Sequence, residues 1–75
     1  MTPQEIFERK LKWKPNSHKV NLHSDYKDKG MEWCKVQLYK CQWEFEEYTA
    51  PYQHTFHFEH HQDARAFMIF SKFFK

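Results

Sequence analysis

The segment that decides the fold is residues 43–59, which read WEFEEYTAPYQHTFHFE. Aromatic and polar residues alternate on both sides of Ala50-Pro51, as expected for two half-buried strands joined by a turn. The pairing that a hairpin centred there predicts is Trp43–Phe58, Glu44–His57, Phe45–Phe56 and Glu46–Thr55. Because one register sorts all four aromatic side chains to one face, the sequence predicts a β-hairpin over residues 42–59.

A helix and a short strand are predicted before this hairpin. Thr2-Pro3-Gln4-Glu5 is typical of a helix start, and Pro15 should end that helix near Trp13. The apolar stripe of this first helix, which we expect to face the core, is Ile6, Phe7 and Leu11. Alternation in the next segment predicts a short strand over residues 18–23, with Val20 and Leu22 on its buried face.

Two further helices complete the predicted architecture. Residues 25–30 are expected to form a polar loop, and steps of three and four between apolar residues predict a helix over 31–40. A last helix opens at residues 62–64, and its apolar face is Ala64, Phe67, Phe70, Phe73 and Phe74. The sequence therefore predicts one α+β domain over residues 1–75, with the order α-β-α-β-β-α and helices covering a small antiparallel sheet.

Composition excludes several classes of function. The chain of 75 residues has one glycine, Gly30, which is too few for a P-loop, a dinucleotide-binding turn or a nucleophile elbow. Its longest apolar run, residues 66–70, is too short to span a membrane, and its first residues do not resemble a signal peptide. We therefore expect a cytoplasmic protein that is not an enzyme, has no catalytic residues and binds no cofactor and no membrane.

Neither a helix nor a strand would allow a disulfide between the two cysteines. Cys34 and Cys41 are seven residues apart. In a helix that spacing separates them by about 10 Å, and in a strand it puts them on opposite faces. Free thiols and a reducing compartment are the expectation.

Positive charge is concentrated near the start of the chain. Residues 1–40 contain nine Lys/Arg against five Asp/Glu, whereas residues 41–75 contain three against five. The candidate basic patch is Arg9, Lys10, Lys12, Lys14 and Lys19. Such a patch can meet phosphate groups, so nucleic-acid binding is the second candidate function; the simpler interpretation is a solvated helix face followed by a linker.

A histidine cluster after the hairpin turn invites a metal-site hypothesis. His54, His57, His60 and His61 lie close together in sequence, and His57 should share the outer face of the hairpin with Glu44. Glu44 and Glu46 could also form a carboxylate pair on that face. Because no known metal-binding spacing is present, exposed histidines beside a cross-strand glutamate are the more economical interpretation, and we expect no metal.

The aromatic content points to protein binding. Fifteen aromatic residues in 75 exceed what one small core can bury, so some are expected at the surface, where Trp and Tyr commonly anchor interfaces. The candidates outside the predicted apolar faces are Trp33, Tyr39, Tyr48 and Tyr52. We therefore predict a non-enzymatic protein-binding module, with an unidentified protein or a second copy of the chain as partner.

Part of the chain resembles short uncharacterised proteins of marine cyanophages. The resemblance covers residues 31–70, on the segments Met31-Glu32-Trp33-Cys34, Phe56-His57-Phe58-Glu59 and Asp63-Ala64-Arg65-Ala66-Phe67. It implies a Trp-containing helix, a hairpin and a helix that opens with Asp-Ala. It carries no known activity, but it suggests a phage accessory protein that modulates a host protein in the host cytoplasm.

Overall fold

A computed structural model describes the backbone of residues 2–74 and the side chains of residues 2–73. The helices and strands are α1 (Pro3–Trp13), β1 (His18–His23), α2 (Lys27–Gln37), β2 (Trp43–Ala50), β3 (Gln53–Phe58) and α3 (His61–Ser71). The α+β class and the predicted order of elements are confirmed. The short strand predicted at residues 18–23 is present as β1.

The three strands form one antiparallel sheet in the order β1-β3-β2, so the last strand in sequence is the central one. All four predicted hairpin pairs are confirmed, including Phe45 opposite Phe56 and Trp43 opposite Phe58. The pairing is irregular between Glu46 and Ala50, close to the turn. The period-2 pattern could predict the register but not this irregularity, because the irregularity depends on backbone geometry at single residues.

The core lies between one face of the sheet and the helices α2 and α3. Phe56, Phe58 and Phe67 are fully buried there, and the Phe67 ring lies 4.8 Å from Phe56 and 5.2 Å from Phe58. Gly30 allows α2 to approach closely, since a Cβ at that position would lie 2.8 Å from Leu22 Cδ2. The last helix therefore covers the sheet as predicted, with Phe67 packed across the hairpin aromatics.

The boundaries of α2 differ from the prediction. The helix begins at Lys27 and ends at Gln37, whereas residues 31–40 were expected, and the predicted loop at 25–30 is largely helical. Gly30 is accommodated inside the helix because a residue without a side chain fits against the core there. The helix ends at Gln37, and the backbone becomes extended at Leu38. A short 3₁₀ helix, Lys40–Gln42, then leads into β2.

The predicted apolar stripe of α1 does not face the core. Trp13 is the residue of α1 that is buried, whereas Phe7 and Leu11 are exposed and Ile6 is half-buried. The helix start is as predicted, because Thr2 Oγ1 accepts a hydrogen bond from the Glu5 backbone N–H. The error arose because a stripe of three apolar residues identifies an amphipathic helix without showing what that helix packs against.

The predicted apolar face of α3 is buried only in its first half. Ala64 and Phe67 are buried and Phe70 is half-buried, but Phe73 lies beyond the end of α3 and is exposed. The expectation that Phe73 faces the core is therefore wrong, because the helix tightens into a 3₁₀ turn after Ser71. The side chain of Phe74, which the sequence places on the same face, is outside the described part of the chain.

Candidate functional site

The four predicted partner-binding residues lie on three different parts of the surface. Tyr39 is 77% exposed and precedes the 3₁₀ helix Lys40–Gln42. Tyr48 and Tyr52 are also exposed, at the turn end of the hairpin. Trp33 is half-buried, so its expected exposure is wrong: its ring contacts Phe67 at 5.4 Å and Phe70 at 5.8 Å. The structure therefore does not unite these residues into one surface.

The tyrosines at the hairpin end have an unusual backbone conformation. Tyr48 has a φ of 51° and Tyr52 a φ of 61°, values that residues other than glycine rarely adopt. The Tyr48 N–H donates to His54 Nδ1 at 3.0 Å, and the Tyr52 carbonyl accepts from the Ser24 N–H at 2.9 Å. These contacts are made by backbone atoms and hold the turn in place, while both tyrosine rings remain exposed.

The exposed face of α1 is the surface that sequence reasoning missed. Phe7 is 61% exposed and Leu11 56% exposed, and the two residues lie one turn apart on the same side of the helix. The opposite side is fixed to the domain, because Trp13 Nε1 donates to the Cys41 carbonyl at 2.8 Å. Arg9 adds an ion pair with Glu59, with nitrogen–oxygen distances of 2.9 and 3.4 Å. The helix is thus anchored through Trp13 and Arg9, while Phe7 and Leu11 contact solvent.

The predicted basic patch is interrupted by ion pairs. The hydrogen bond and charge of Glu59 raise the pKa of Arg9 further above its already high value. Lys14 Nζ lies 2.9 Å from Glu44 Oε2. Within the described chain, Lys10, Lys12 and Lys19 have no such acidic partner. Two of the five predicted residues are therefore neutralised by local acids.

The central histidines of the predicted cluster are buried, which corrects the expectation of exposed sheet histidines. His54 is 1% exposed and His57 is 4% exposed. His57 pairs with Glu44 in the backbone register, but its ring contacts Glu46 instead, with Nε2 2.8 Å from Oε2. Across residues 2–74, no group of three or more His, Cys, Asp or Glu side chains is arranged to hold a metal ion.

His57 also lies 2.9 Å from Ser17 Oγ through Nδ1, which gives a Ser–His–Glu chain. A serine nucleophile also needs an oxyanion site, for which its own backbone N–H is a common donor. The Ser17 N–H is already bonded to the Lys14 carbonyl at 3.1 Å, and the His57 ring is covered. This hydrogen-bonded chain therefore favours a structural role, in which Ser17 and Glu46 provide hydrogen-bond partners for the two ring nitrogens of the buried His57.

Both thiols are free and buried, in agreement with the expectation of unpaired cysteines. Burial raises the pKa of the Cys34 thiol from 9.0 to about 12, and the negative charge of Asp63 adds to the effect. A thiol that stays protonated is a weak nucleophile and a poor metal ligand. Cys34 therefore acts as a core residue.

This raised pKa predicts a loss of stability at alkaline pH. Between the unfolded pKa of 9.0 and the folded pKa of about 12, the native state holds a proton that the unfolded state releases, so stability falls as pH rises. Between pH 8 and pH 10, the free energy of unfolding of the natural protein should fall by about 1 kcal/mol more than that of Cys34→Ala. Urea unfolding of both proteins measures this difference. Equal pH dependence in the two would contradict it.

Comparisons with protein-family models, curated protein sequences and solved structures gave no match. In the part of the chain that the structure describes, no helix is both long and apolar enough to cross a bilayer.

Proposed function

We propose that the protein is a non-enzymatic protein-binding module whose contact surface is the exposed face of α1. The observation that carries this proposal is the exposure of Phe7 and Leu11, one helical turn apart, on a helix that Trp13 fixes to the domain. Large apolar side chains at this spacing are the usual anchors of helix-mediated recognition. Because α1 is already folded and anchored, binding need not order it first.

The charge pattern of α1 favours a second copy of the chain as the partner. Acidic Glu5 and Glu8 lie in the first half of the helix, and basic Lys10 and Lys12 lie in the second half. In an antiparallel pair related by a two-fold axis, each acidic half would lie beside a basic half. Phe7 of one copy would then pack beside Leu11 of the other.

The expected dimer is weak. Eleven residues make a helix about 16 Å long, so the contact area falls below that of a standard stable interface. Association should therefore depend on concentration and reverse on dilution. Exposed Tyr39, which lines the same cavity as Ile6 of α1, lies next to this helix and can extend the contact.

Sedimentation velocity over a concentration series tests the proposal. The mean mass of the natural protein should rise above 9.4 kDa toward twice that value, whereas Phe7→Ser/Leu11→Ser should remain monomeric because the apolar contact is lost. The matched control is Ile69→Ser/Phe73→Ser, which removes two exposed apolar side chains elsewhere and should associate normally. A natural protein that is monomeric throughout, or equal association of both variants, would refute it.

Charge exchange between copies tests the antiparallel geometry separately. Glu5→Lys/Glu8→Lys makes α1 basic along its length, and Lys10→Glu/Lys12→Glu removes basic charge from its second half. Each variant alone should associate less than the natural protein, and a mixture of the two should associate again because opposite charges meet. No recovery in the mixture would argue against this arrangement.

The other sequence-based candidates stay predictions. Nucleic-acid binding by residues 9–19 is weakened as a candidate by the ion pairs of Arg9 and Lys14, which break the basic stretch. A phage accessory role in the host cytoplasm rests on the cyanophage resemblance alone. Binding of a host protein would use the same face of α1 in competition with self-association.

A further inference from the structure

A concave basic surface lies where α1 meets the segment that leads into β2. One cavity of about 560 Å³ is lined by Pro3, Ile6, Lys10, Lys35, Lys40 and Trp43. A second, of about 470 Å³, shares Ile6 and Lys40 with it and adds Arg9, Tyr39 and Cys41. Together these residues are called the basic cleft. Each cavity has the size of a small-molecule site, roughly 300–1,000 Å³.

The lysines of the basic cleft lack counter-charges. Lys10, Lys35 and Lys40 form no ion pair with any Asp or Glu in the described residues, unlike Lys14 and Lys27 elsewhere in the chain. None of the described residues that line the two cavities is acidic. Three uncompensated ammonium groups around a concave wall give a positive potential that attracts anions.

The cavity walls between the lysines are apolar and include one hydrogen-bond donor without an acceptor. Trp43 is 8% exposed, and among the described side chains its Nε1 is a buried nitrogen with no hydrogen-bond partner. A buried donor without an acceptor is unfavourable, so a ligand oxygen that reached this nitrogen would satisfy it. Ile6 and Pro3 add apolar contact area, which a bare inorganic ion would not use.

We propose that the basic cleft binds a small organic anion with an aromatic body. Its phosphate or carboxylate group would contact Lys10, Lys35 and Lys40, and its aromatic part would lie against Ile6 and Trp43. Lys10 and Tyr39 are shared with the proposed dimer contact, but every residue of the basic cleft belongs to one copy of the chain. Phe7→Ser/Leu11→Ser should therefore abolish self-association and leave anion binding intact, so each proposal can fail without the other.

The indole N–H signals in a ¹⁵N–¹H NMR titration test the proposal on the intact protein. The chain has three tryptophans, and Trp43→Phe assigns the signal of interest. Phenyl phosphate or benzoate should shift the Trp43 signal in a saturable way, and comparison of the two distinguishes phosphate from carboxylate recognition. Inorganic phosphate and benzyl alcohol, which each supply only half of the chemistry, should bind at least about tenfold more weakly.

Two triple variants with the same change in charge locate the site. Lys10→Gln/Lys35→Gln/Lys40→Gln should weaken binding of the tighter probe at least about tenfold. The control, Lys12→Gln/Lys19→Gln/Arg65→Gln, should change it less than about twofold. The control includes Lys19 and Arg65 because they line another basic cavity, of about 350 Å³, between β1 and α3.

Several results would overturn the proposal. They are an absence of saturable shifts, equal loss of binding in both triple variants, or benzyl alcohol binding as tightly as phenyl phosphate. Tighter binding of a single-stranded oligonucleotide, weakened equally by both triple variants, would overturn it in favour of a general nucleic-acid surface.

Discussion

Replacing Phe56 with alanine is expected to lower the free energy of unfolding by about 3–5 kcal/mol. Phe56 is fully buried on the central strand, and its ring lies within 5.1 Å of Phe45 and 4.8 Å of Phe67. Removing it would open a cavity where the sheet meets both helices. Because small domains have total stabilities of only about 5 kcal/mol or slightly more, much of the variant should be unfolded at 25 °C.

Urea unfolding followed by tryptophan fluorescence measures this change. Phe73→Ala is the matched control: it makes the same substitution at a side chain that is 80% exposed, and it should change stability by less than about 0.5 kcal/mol. Phe56→Leu should give an intermediate value because it retains part of the apolar volume. If Phe56→Ala were as mild as Phe73→Ala, the arrangement of the core between the sheet and the helices would be incorrect.

The part of the core that the hairpin contributes could be predicted because its residues alternate in a short segment. Residues 43–59 contain both strands of the hairpin, its turn and the four aromatic side chains that pair across it, so a local pattern determines the hairpin register. The boundaries of α2 were harder to predict from the sequence. The polar segment 25–30 predicts a loop that includes Gly30, but Gly30 lies inside α2, where its missing side chain allows Leu22 and Phe56 to approach.

The surfaces were harder to predict than the core. The sequence predicts that Phe7 and Leu11 face the core, but both are exposed. A stripe of three apolar residues identifies an amphipathic helix without showing which element packs against it. Lys35 and Lys40, which line the basic cleft, lie outside the basic stretch that the sequence draws attention to. The cleft depends on where α1 docks, and the contacts that hold the helix there include two long-range ones, Trp13–Cys41 and Arg9–Glu59.

Replacing Trp13 with alanine should therefore detach α1 while leaving the sheet folded. Trp13 is buried at the end of α1, and its Nε1 donates to the Cys41 carbonyl, so both packing and a hydrogen bond would be lost. Truncating a buried tryptophan typically costs about 3–5 kcal/mol, which exceeds the contribution of about 0–1 kcal/mol expected from a partly solvated ion pair such as Arg9–Glu59. Trp13→Phe should be milder, about 1–3 kcal/mol, because it loses chiefly the hydrogen bond.

Hydrogen exchange distinguishes local detachment from global unfolding. In Trp13→Ala the amides of α1 should lose protection, whereas those of β3, which is hydrogen-bonded on both sides, should stay protected. Because α1 carries Phe7 and Leu11 and contributes Pro3, Ile6 and Lys10 to the basic cleft, the same variant should lose both self-association and phenyl phosphate binding. Protection of α1 at the natural level, with both kinds of binding intact, would show that Trp13 is not the anchor on which these two surfaces depend.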